Sequence, residues 1–199
     1  NLNLASSNEA QHKGDIAYID PVPQYLHHIS NIVDIESIKR SGLNVLIDPM
    51  YGSGSGYFTN ILSGGNTKIT EIHNQLDSEF PGIAHPEPIA RNLKNLLDSV
   101  PKLKSDVGLA TDGDADRLGV VNERGIFLTS LQSFALLCLY QLEILQNRGP
   151  LVKSITMTNM VNKLGAIYGV PVFEAPVGFK YLCPIMMKEN ALLAGEESG

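Results

Sequence analysis

Thr111-Asp112-Gly113-Asp114-Ala115-Asp116-Arg117 sets three carboxylates at alternate positions of one short turn, separated only by Gly113 and Ala115. Like charges held this close destabilise the fold unless a cation or hydrogen bonds compensate them. A hard divalent cation is the natural compensation, and few side-chain ligands completed by water or a substrate phosphate suit Mg²⁺. The flanks read as strands: 106–110 delivers the turn, Leu118-Gly119-Val120-Val121 leaves it, Asn122-Glu123-Arg124-Gly125 turns the chain, and Ile126-Phe127-Leu128 returns. Asp112, Asp114, Asp116 and Glu123 also match positions one, three, five and twelve of a helix-loop-helix calcium site. Position six of that template needs glycine for its sharp turn; Arg117 stands there, between strand-like flanks, which sets the calcium reading aside. A solvated acidic turn with no ligand is the plain alternative.

Upstream, Asn44-Val45-Leu46-Ile47-Asp48 is a short apolar run bounded by turn residues, hence a buried strand. It enters Pro49-Met50-Tyr51-Gly52-Ser53-Gly54-Ser55-Gly56, and a helix starts near Tyr57. Such a strand, glycine turn and helix can cradle a phosphate on free amides, or can be purely structural. The third glycine falls one place early for a dinucleotide fingerprint, and no Gly-Lys-Ser/Thr follows. A strand at 67–72 precedes the loop Phe80-Pro81-Gly82-Ile83-Ala84-His85-Pro86-Glu87-Pro88, and then a helix in which Ile89, Leu93, Leu96, Leu97 and Val100 share a face. Earlier still, Pro21 and Pro23 lead a helix over 24–32, and a second over 34–40 begins at an acidic N-cap and stops before Gly42. His27 and His28, one residue apart, do not share a helix face and read as solvated. Residues 1–14 are polar and small with no sustained period, a linker or arm.

Composition changes after Leu128-Thr129-Ser130. A long helix over 131–146 opens a second series: strand 154–158, helix 159–168, strand 172–175, helix 181–188 and strand 191–194. Alternating strands and helices predict α/β layers with sites at the strand carboxyl ends, here in two successive domains of similar architecture meeting near residue 130. At the end, Gly195-Glu196-Glu197-Ser198-Gly199 places a carboxylate and a hydroxyl on a glycine-flanked turn, which can bond adjacent sugar hydroxyls or be a common polar turn.

With 199 residues the chain holds one large domain or two small ones, and 43% hydrophobic against 18% charged residues predicts packed cores. A net charge of −6 offers no basic footprint for nucleic acid. No apolar run approaches the ~20 residues of a membrane span. The most apolar stretch, 134–145, is broken by Tyr140, Gln141 and Glu143 and reads as a buried helix. Cys138 and Cys183, far apart and unclustered, read as buried reduced thiols, with neither a disulfide framework nor zinc. No secretory signal pattern is visible, and cytoplasm is the default, although the first residue is not Met.

Thr111-Asp112-Gly113-Asp114-Ala115-Asp116-Arg117-Leu118-Gly119 resembles the metal-binding loop of the alpha-D-phosphohexomutases, the phosphoglucomutase and phosphomannomutase family. The segment 44–56 and the proline-rich loop resemble parts of that family's second domain, where the glycine turn is chiefly structural and His85 has no catalytic part. Pro176-Val177-Gly178-Phe179-Lys180 and 195–199 resemble loops of the third domain, and together the likeness spans roughly 19–199. It implies two successive three-layer α/β/α domains with mixed sheets, the second incomplete: an arm at 1–14, the second domain at 15–129 and part of the third at 130–199.

The resemblance also implies the chemistry. A phosphoserine in the first domain gives its phosphoryl group to a glucose or mannose phosphate, and a hexose bisphosphate reorients and returns the other, so that phosphoryl moves between the 1 and 6 positions. Asp112, Asp114 and Asp116 match the Mg²⁺ ligands, Arg117 the catalytic basic residue beside them, and Gly178, Lys180, Glu196 and Ser198 the substrate-binding loops. The partners implied are hexose phosphate and hexose bisphosphate, with neither nucleic acid nor membrane. Val177 departs from the hydroxyl residue many members carry there, and no stretch resembles the serine loop Thr-Ala-Ser-His-Asn-Pro. The nearest, Leu4-Ala5-Ser6-Ser7-Asn8-Glu9, lacks the histidine and proline and has no preceding strand. The chain therefore reads as the middle of a mutase, without the phosphoserine and fourth, phosphate-binding domains, and inactive alone. Glu197, where phosphoglucosamine mutases usually have Gln, and the spacers Gly113 and Ala115 point to glucose or mannose phosphate rather than glucosamine phosphate. A Mg²⁺-dependent phosphatase would need its paired aspartates after the first strand of its fold. A non-catalytic metal- or sugar-phosphate-binding module is the other alternative.

Overall fold

A computed structural model describes residues 6–197. The apolar run at 44–48 forms β1 (Asn44–Asp48), buried in four of its five positions. Its neighbours on either side, β2 (Lys68–Glu71) and β3 (Val107–Thr111), run parallel to it. β3 pairs antiparallel with β4 (Leu118–Asn122), and β4 with β5 (Phe127–Leu128), which completes a mixed sheet of order β2-β1-β3-β4-β5. Thr111 faces Leu118 in register, so the aspartate turn is the connection of a β3–β4 hairpin. The sheet changes from parallel to antiparallel there, with the three aspartates at the carboxyl end of β3.

Helices cover both faces of this sheet. α5 (Lys94–Lys102) brings Leu96 and Val100, with Leu93, onto Leu46, Ala110 and Val121. On the other face Val45 and Ile47 are buried, together with Ile35 of α3 (Ile35–Arg40) and Leu62 of α4 (Tyr57–Leu62). Period-two alternation in β1 thus feeds two cores from one strand. Asp34 caps α3 as its position predicts, its carboxylate accepting the Ser37 N–H at 3.0 Å. Two further helices precede these, α1 (Ser7–Lys13) within the stretch read as an arm, and α2 (Val22–Ile32), on which His27 and His28 are exposed. Ile89 is extended and followed by a 3₁₀ turn at Ala90–Asn92, so it stands before α5 instead of on its face.

Beyond Thr129 the pattern restarts. α6 (Ser130–Leu139) opens on a capping box: Thr129 Oγ1 accepts the Gln132 N–H at 3.3 Å, and Gln132 Oε1 accepts the Thr129 N–H at 2.9 Å. The helix predicted over 131–146 is α-helical to Leu139 and closes in a π-helical turn over Tyr140–Ile144. β6 (Leu151–Ser154) lies between β7 (Val172–Ala175) and β8 (Leu193–Gly195), all parallel. α7 (Met160–Tyr168) and α8 (Phe179–Glu189) pack on opposite faces, where Leu151 joins Phe134, Cys138 and Val161, and Val152 joins Ala175 and Leu182.

Two expectations in this half are corrected. The strand placed at 154–158 is β6 three residues earlier, and 155–157 turns back with the Met157 N–H on Ser154 O. Lys153 hid it, because a cation reads as a loop residue; here its side chain is 1% exposed and its ammonium pairs with Glu174, directly opposite on β7. Cys183 is exposed, whereas Cys138 is buried as expected and its thiol is pushed up to about 12 by that burial. The face of α8 that enters the core carries Leu182 instead. No helix among the described residues is long and apolar enough to cross a membrane.

Leu96 is fully buried in the core beneath β3, the strand that carries the aspartate turn. Leu96→Ala is expected to destabilise the chain by about 2–5 kcal/mol, read as a lowered midpoint in urea unfolding with an unchanged slope.

Candidate metal centre

Asp112 is the buried member of the triad, its side chain 1% exposed, while Asp114 and Asp116 are exposed. One carboxylate oxygen from each of the three lies within 4.8 Å of the others. Asp112 accepts the backbone N–H of Arg117 at 3.0 Å and its Nε–H at 2.6 Å. The same guanidinium reaches Glu87 at 3.5 Å and Asp116 at 3.7 Å. Three carboxylates against one guanidinium leave an uncompensated charge that a single divalent cation matches.

The titration of the triad follows from this geometry. Burial pushes the Asp112 carboxyl up, but the backbone and side-chain hydrogen bonds from Arg117 outweigh it and hold the group below the usual carboxylate range. Asp116 is raised by its hydrogen bond to Asp112 and by the charges of Asp112 and Asp114. Carboxylates pulled in opposite directions within one turn titrate as a pair, the proton staying on Asp116. An all-oxygen set of three hard donors fits Mg²⁺, with positions left over for water or a phosphate.

Two flanking loops hold the turn. The Ser53 N–H donates to Gly113 O at 2.9 Å, and the Gly113 N–H donates to Pro86 O at 3.2 Å. The glycine-rich segment comes this close because it lacks side chains: a Cβ on Gly52 would lie 2.5 Å from Gly113 O, and one on Gly54 would lie 2.6 Å from the buried Thr111 Oγ1. Several of its amides are also occupied. Ser53 is spent on Gly113, and the amides of Gly56 and Thr59 donate to Glu71 at 3.0 and 3.3 Å. Of the two readings of this segment, the structural turn fits these bonds and the phosphate cradle does not. A cavity of about 500 Å³ lined by Tyr25, Tyr57, Ser53, Gly54 and Asp114 opens beside the turn.

The other predicted site residues lie on the second sheet. The Gly178 N–H donates to Glu196 Oε2 at 2.6 Å, which ties the loop after β7 to the residue after β8 at the carboxyl ends of parallel strands. Lys180 is exposed and lies over the ring of its own neighbour Tyr181, 5.0 Å from the centroid. Ser198 lies outside the described residues. Sequence reading did not single out Glu87 or Ser53 as neighbours of the site. Glu87 stands between Pro86 and Pro88, a rigid placement toward Arg117 that is visible in the sequence only once the two loops are known to meet.

Comparison with known proteins agrees with this architecture. Residues 23–125 match the family model described as phosphoglucomutase/phosphomannomutase, alpha/beta/alpha domain II, and residues 130–199 match that of domain III. A phosphoglucomutase/phosphomannomutase of Thermococcus kodakarensis is 31% identical over 187 residues, which is 94% of this chain and 40% of that protein. A Methanococcoides burtonii protein assigned as a phosphoglucosamine mutase is also 31% identical, over 83% of this chain and 37% of its own. A crystal structure from Thermus thermophilus, assigned as a phosphomannomutase, superposes with a TM-score of 0.83 at 31% identity, covering 92% of this chain and 43% of that one. The chain thus spans about two fifths of the length of these relatives. With two consecutive family domains matched along nearly its whole length, in the order in which the two sheets and the aspartate turn occur, the chain belongs to the phosphoglucomutase/phosphomannomutase family.

Proposed function

We propose that the chain supplies the metal-binding second domain, at 15–129, and part of the sugar-binding third domain, from 130, of an enzyme that moves a phosphoryl group between the 1 and 6 positions of a hexose phosphate. The observation that carries this reading is the convergence of Asp112, Asp114 and Asp116 within 4.8 Å at the carboxyl end of β3, with Arg117 as the neighbouring cation. Mg²⁺ held by those three carboxylates would neutralise phosphoryl oxygens during transfer, a step for which positioned charge is the main catalytic need. Arg117 has two tasks in this scheme. It fixes Asp112 through its backbone and Nε–H, and its half-exposed guanidinium offers positive charge to the phosphoryl group being transferred. The cavity beside Asp114 gives a phosphoryl-bearing group room to approach. On the third domain, Gly178 and Glu196 share a hydrogen bond and form one unit, to which Lys180 adds a cation for the hexose; the hydroxyl assigned to Ser198 rests on the family resemblance alone. The two free cysteines suit a reducing, cytoplasmic setting.

The metal assignment is tested by calorimetric titration of the chain with Mg²⁺. Asp114→Asn removes charge while keeping shape, and is expected to weaken binding by roughly an order of magnitude, since oxygen sites are tuned by ligand charge. An unchanged affinity would overturn the assignment.

A metal loop stabilises charge but does not carry a phosphoryl group covalently. The chain by itself is therefore expected to show no conversion of glucose 1-phosphate, even with a glucose 1,6-bisphosphate primer; measured turnover would refute the reading of its role.

For the sugar, Glu197 beside Glu196 sets which hydroxyl or amino group of the hexose finds a partner, and a buried polar group left unpaired costs about 1–3 kcal/mol. Relatives assigned to glucose, mannose and glucosamine phosphates match at the same 31% identity, so overall similarity does not decide. The whole enzyme is expected to prefer glucose or mannose phosphate. Specificity constants for the three sugar 1-phosphates measured side by side would check this, with a preference for glucosamine 1-phosphate as the contrary result.

A further inference from the structure

A polar chain that runs from the buried Asp48 through the half-buried His73 to the exposed Asn95 lies behind the glycine-rich segment and plays no part in the scheme above. Asp48, at the end of β1, is 1% exposed and accepts the Met50 N–H at 2.9 Å. Both of its oxygens also face His73 Nδ1, at 3.0 and 3.1 Å. On the far side of the ring the Asn95 amide nitrogen lies 3.1 Å from Nε2. The Asp48 carboxylate only accepts, so the Nδ1 that faces it carries a proton. His73 thus donates to Asp48 and bonds Asn95 on its other side.

The backbone around this chain is strained. Met50, Tyr51 and His73 have φ values of +50°, +60° and +48°, a region that residues with a Cβ enter only at a cost. Each is held there by the network or by bonds next to it. Met50 donates to Asp48, the Tyr51 N–H donates to His73 O at 2.8 Å, and Tyr51 O accepts the Asp77 N–H at 3.1 Å. The rings of Tyr51 and His73 lie 4.8 Å apart at 34°. The next residues are Gly52, whose missing side chain lets Gly113 O approach, and Ser53, whose N–H bonds that oxygen. The strained turn therefore ends on the backbone of the aspartate loop itself.

We propose that His73 is a positioning residue for the metal loop: bridging Asp48 and Asn95, it holds the left-handed Met50-Tyr51 turn that presses the Ser53 amide onto Gly113. This rests on the metal reading given above but extends to residues far from the carboxylates in sequence. Without the ring, the Met50-Tyr51 turn keeps only the buried Met50 side chain and its backbone bonds, Ser53 leaves Gly113 more often, and the loop loosens at one of its two backbone anchors. Asp112, Asp114 and Asp116 then bring their oxygens together less often, and a cation binds less tightly.

The test compares the wild-type chain with His73→Gly and His73→Asn by Mn²⁺ binding, followed by electron paramagnetic resonance, and by amide hydrogen exchange. Glycine accepts the left-handed backbone at no cost, so any loss in His73→Gly belongs to the ring. Asparagine tolerates that backbone and restores a donor toward Asp48. His73→Gly is expected to weaken Mn²⁺ binding roughly 10-fold, the low end for outer-shell changes at metal sites, and to speed exchange at Ser53 and Gly113, with His73→Asn recovering both. Wild-type affinity and exchange in His73→Gly would overturn the proposal, as would exchange that rises equally along β1, β2 and β3. Should wild-type chain bind no Mn²⁺ while the two loop amides respond as described, the metal reading fails and the positioning role stands. If His73→Gly does not fold, Asn95→Ala, which removes only the Nε2 partner, is expected to move the same two amides in the same direction, and no movement there would overturn the proposal.

Discussion

Mutual repulsion among three carboxylates on the short hairpin connection between β3 and β4 is the constraint to which the first sheet is fitted. Asp112, Asp114 and Asp116 bring their oxygens within 4.8 Å, and one of them is buried. A tight turn with this charge would splay if it depended on its own backbone alone. Two loops from elsewhere in the sheet hold it by backbone hydrogen bonds, Ser53 to Gly113 and Gly113 to Pro86, while Arg117 and Glu87 add an ionic link between the turn and the proline loop. All three loops begin at or near the carboxyl ends of β1, β2 and β3, which the parallel arrangement brings to one edge. Topology therefore gathers the parts, and local chemistry fastens them.

Much of this was legible in the sequence because the strongest signals are short and chemical. The aspartate turn, its two strands, the apolar run at β1, the Asp34 cap and the strand at Val172–Ala175 are local patterns that tertiary packing had no reason to override. The misreadings have a common cause. β6 was displaced because Lys153 is a buried cation whose partner, Glu174, is 21 residues away in sequence and meets it only through strand pairing. Cys183 was read as buried because the phase of α8 is set by Leu182 against the sheet, and a helix with Pro184 inside it gives a weak periodic signal. Glu87, Ser53, His73 and Asn95 went unnoticed as neighbours of the site for the same reason: each owes its place to a contact between distant segments.

Backbone strain follows the same map. Of the non-glycine residues with positive φ, Met50, Tyr51, His73, Phe80 and Ala115 sit in the three loops that meet at the turn or at the end of β2 that feeds them. Each costs on the order of 1–3 kcal/mol unless the surroundings over-determine it. The surroundings here do so largely through polar bonds, joined at Met50 by a side chain fully buried in the core of the sheet. The helices secure the sheet, whereas the loops at its edge are secured by Asp48, Glu71, Asn92 and Arg117, each of which bonds backbone groups. A site built on such bonds keeps its shape without burying apolar surface that a polar ligand would have to displace.

The partition of roles within the triad follows from how each carboxylate is restrained. Asp112 has one oxygen on the Arg117 N–H and the other on its Nε–H, so its orientation is set before any cation arrives. Asp114 and Asp116 are exposed and must be ordered when an ion binds, at the cost of their rotamer freedom. An ion held by one fixed and two exposed carboxylates would be bound only moderately and keep open coordination positions, and in the role proposed above it would admit a phosphoryl oxygen as a further ligand. Tighter restraint of Asp114 and Asp116 would raise affinity for the ion and lessen its need for that oxygen. Arg117 thus does more than offset charge: it bonds Asp112 closely and Asp116 only at 3.7 Å, which leaves Asp114 outside its reach on the side where the cavity opens.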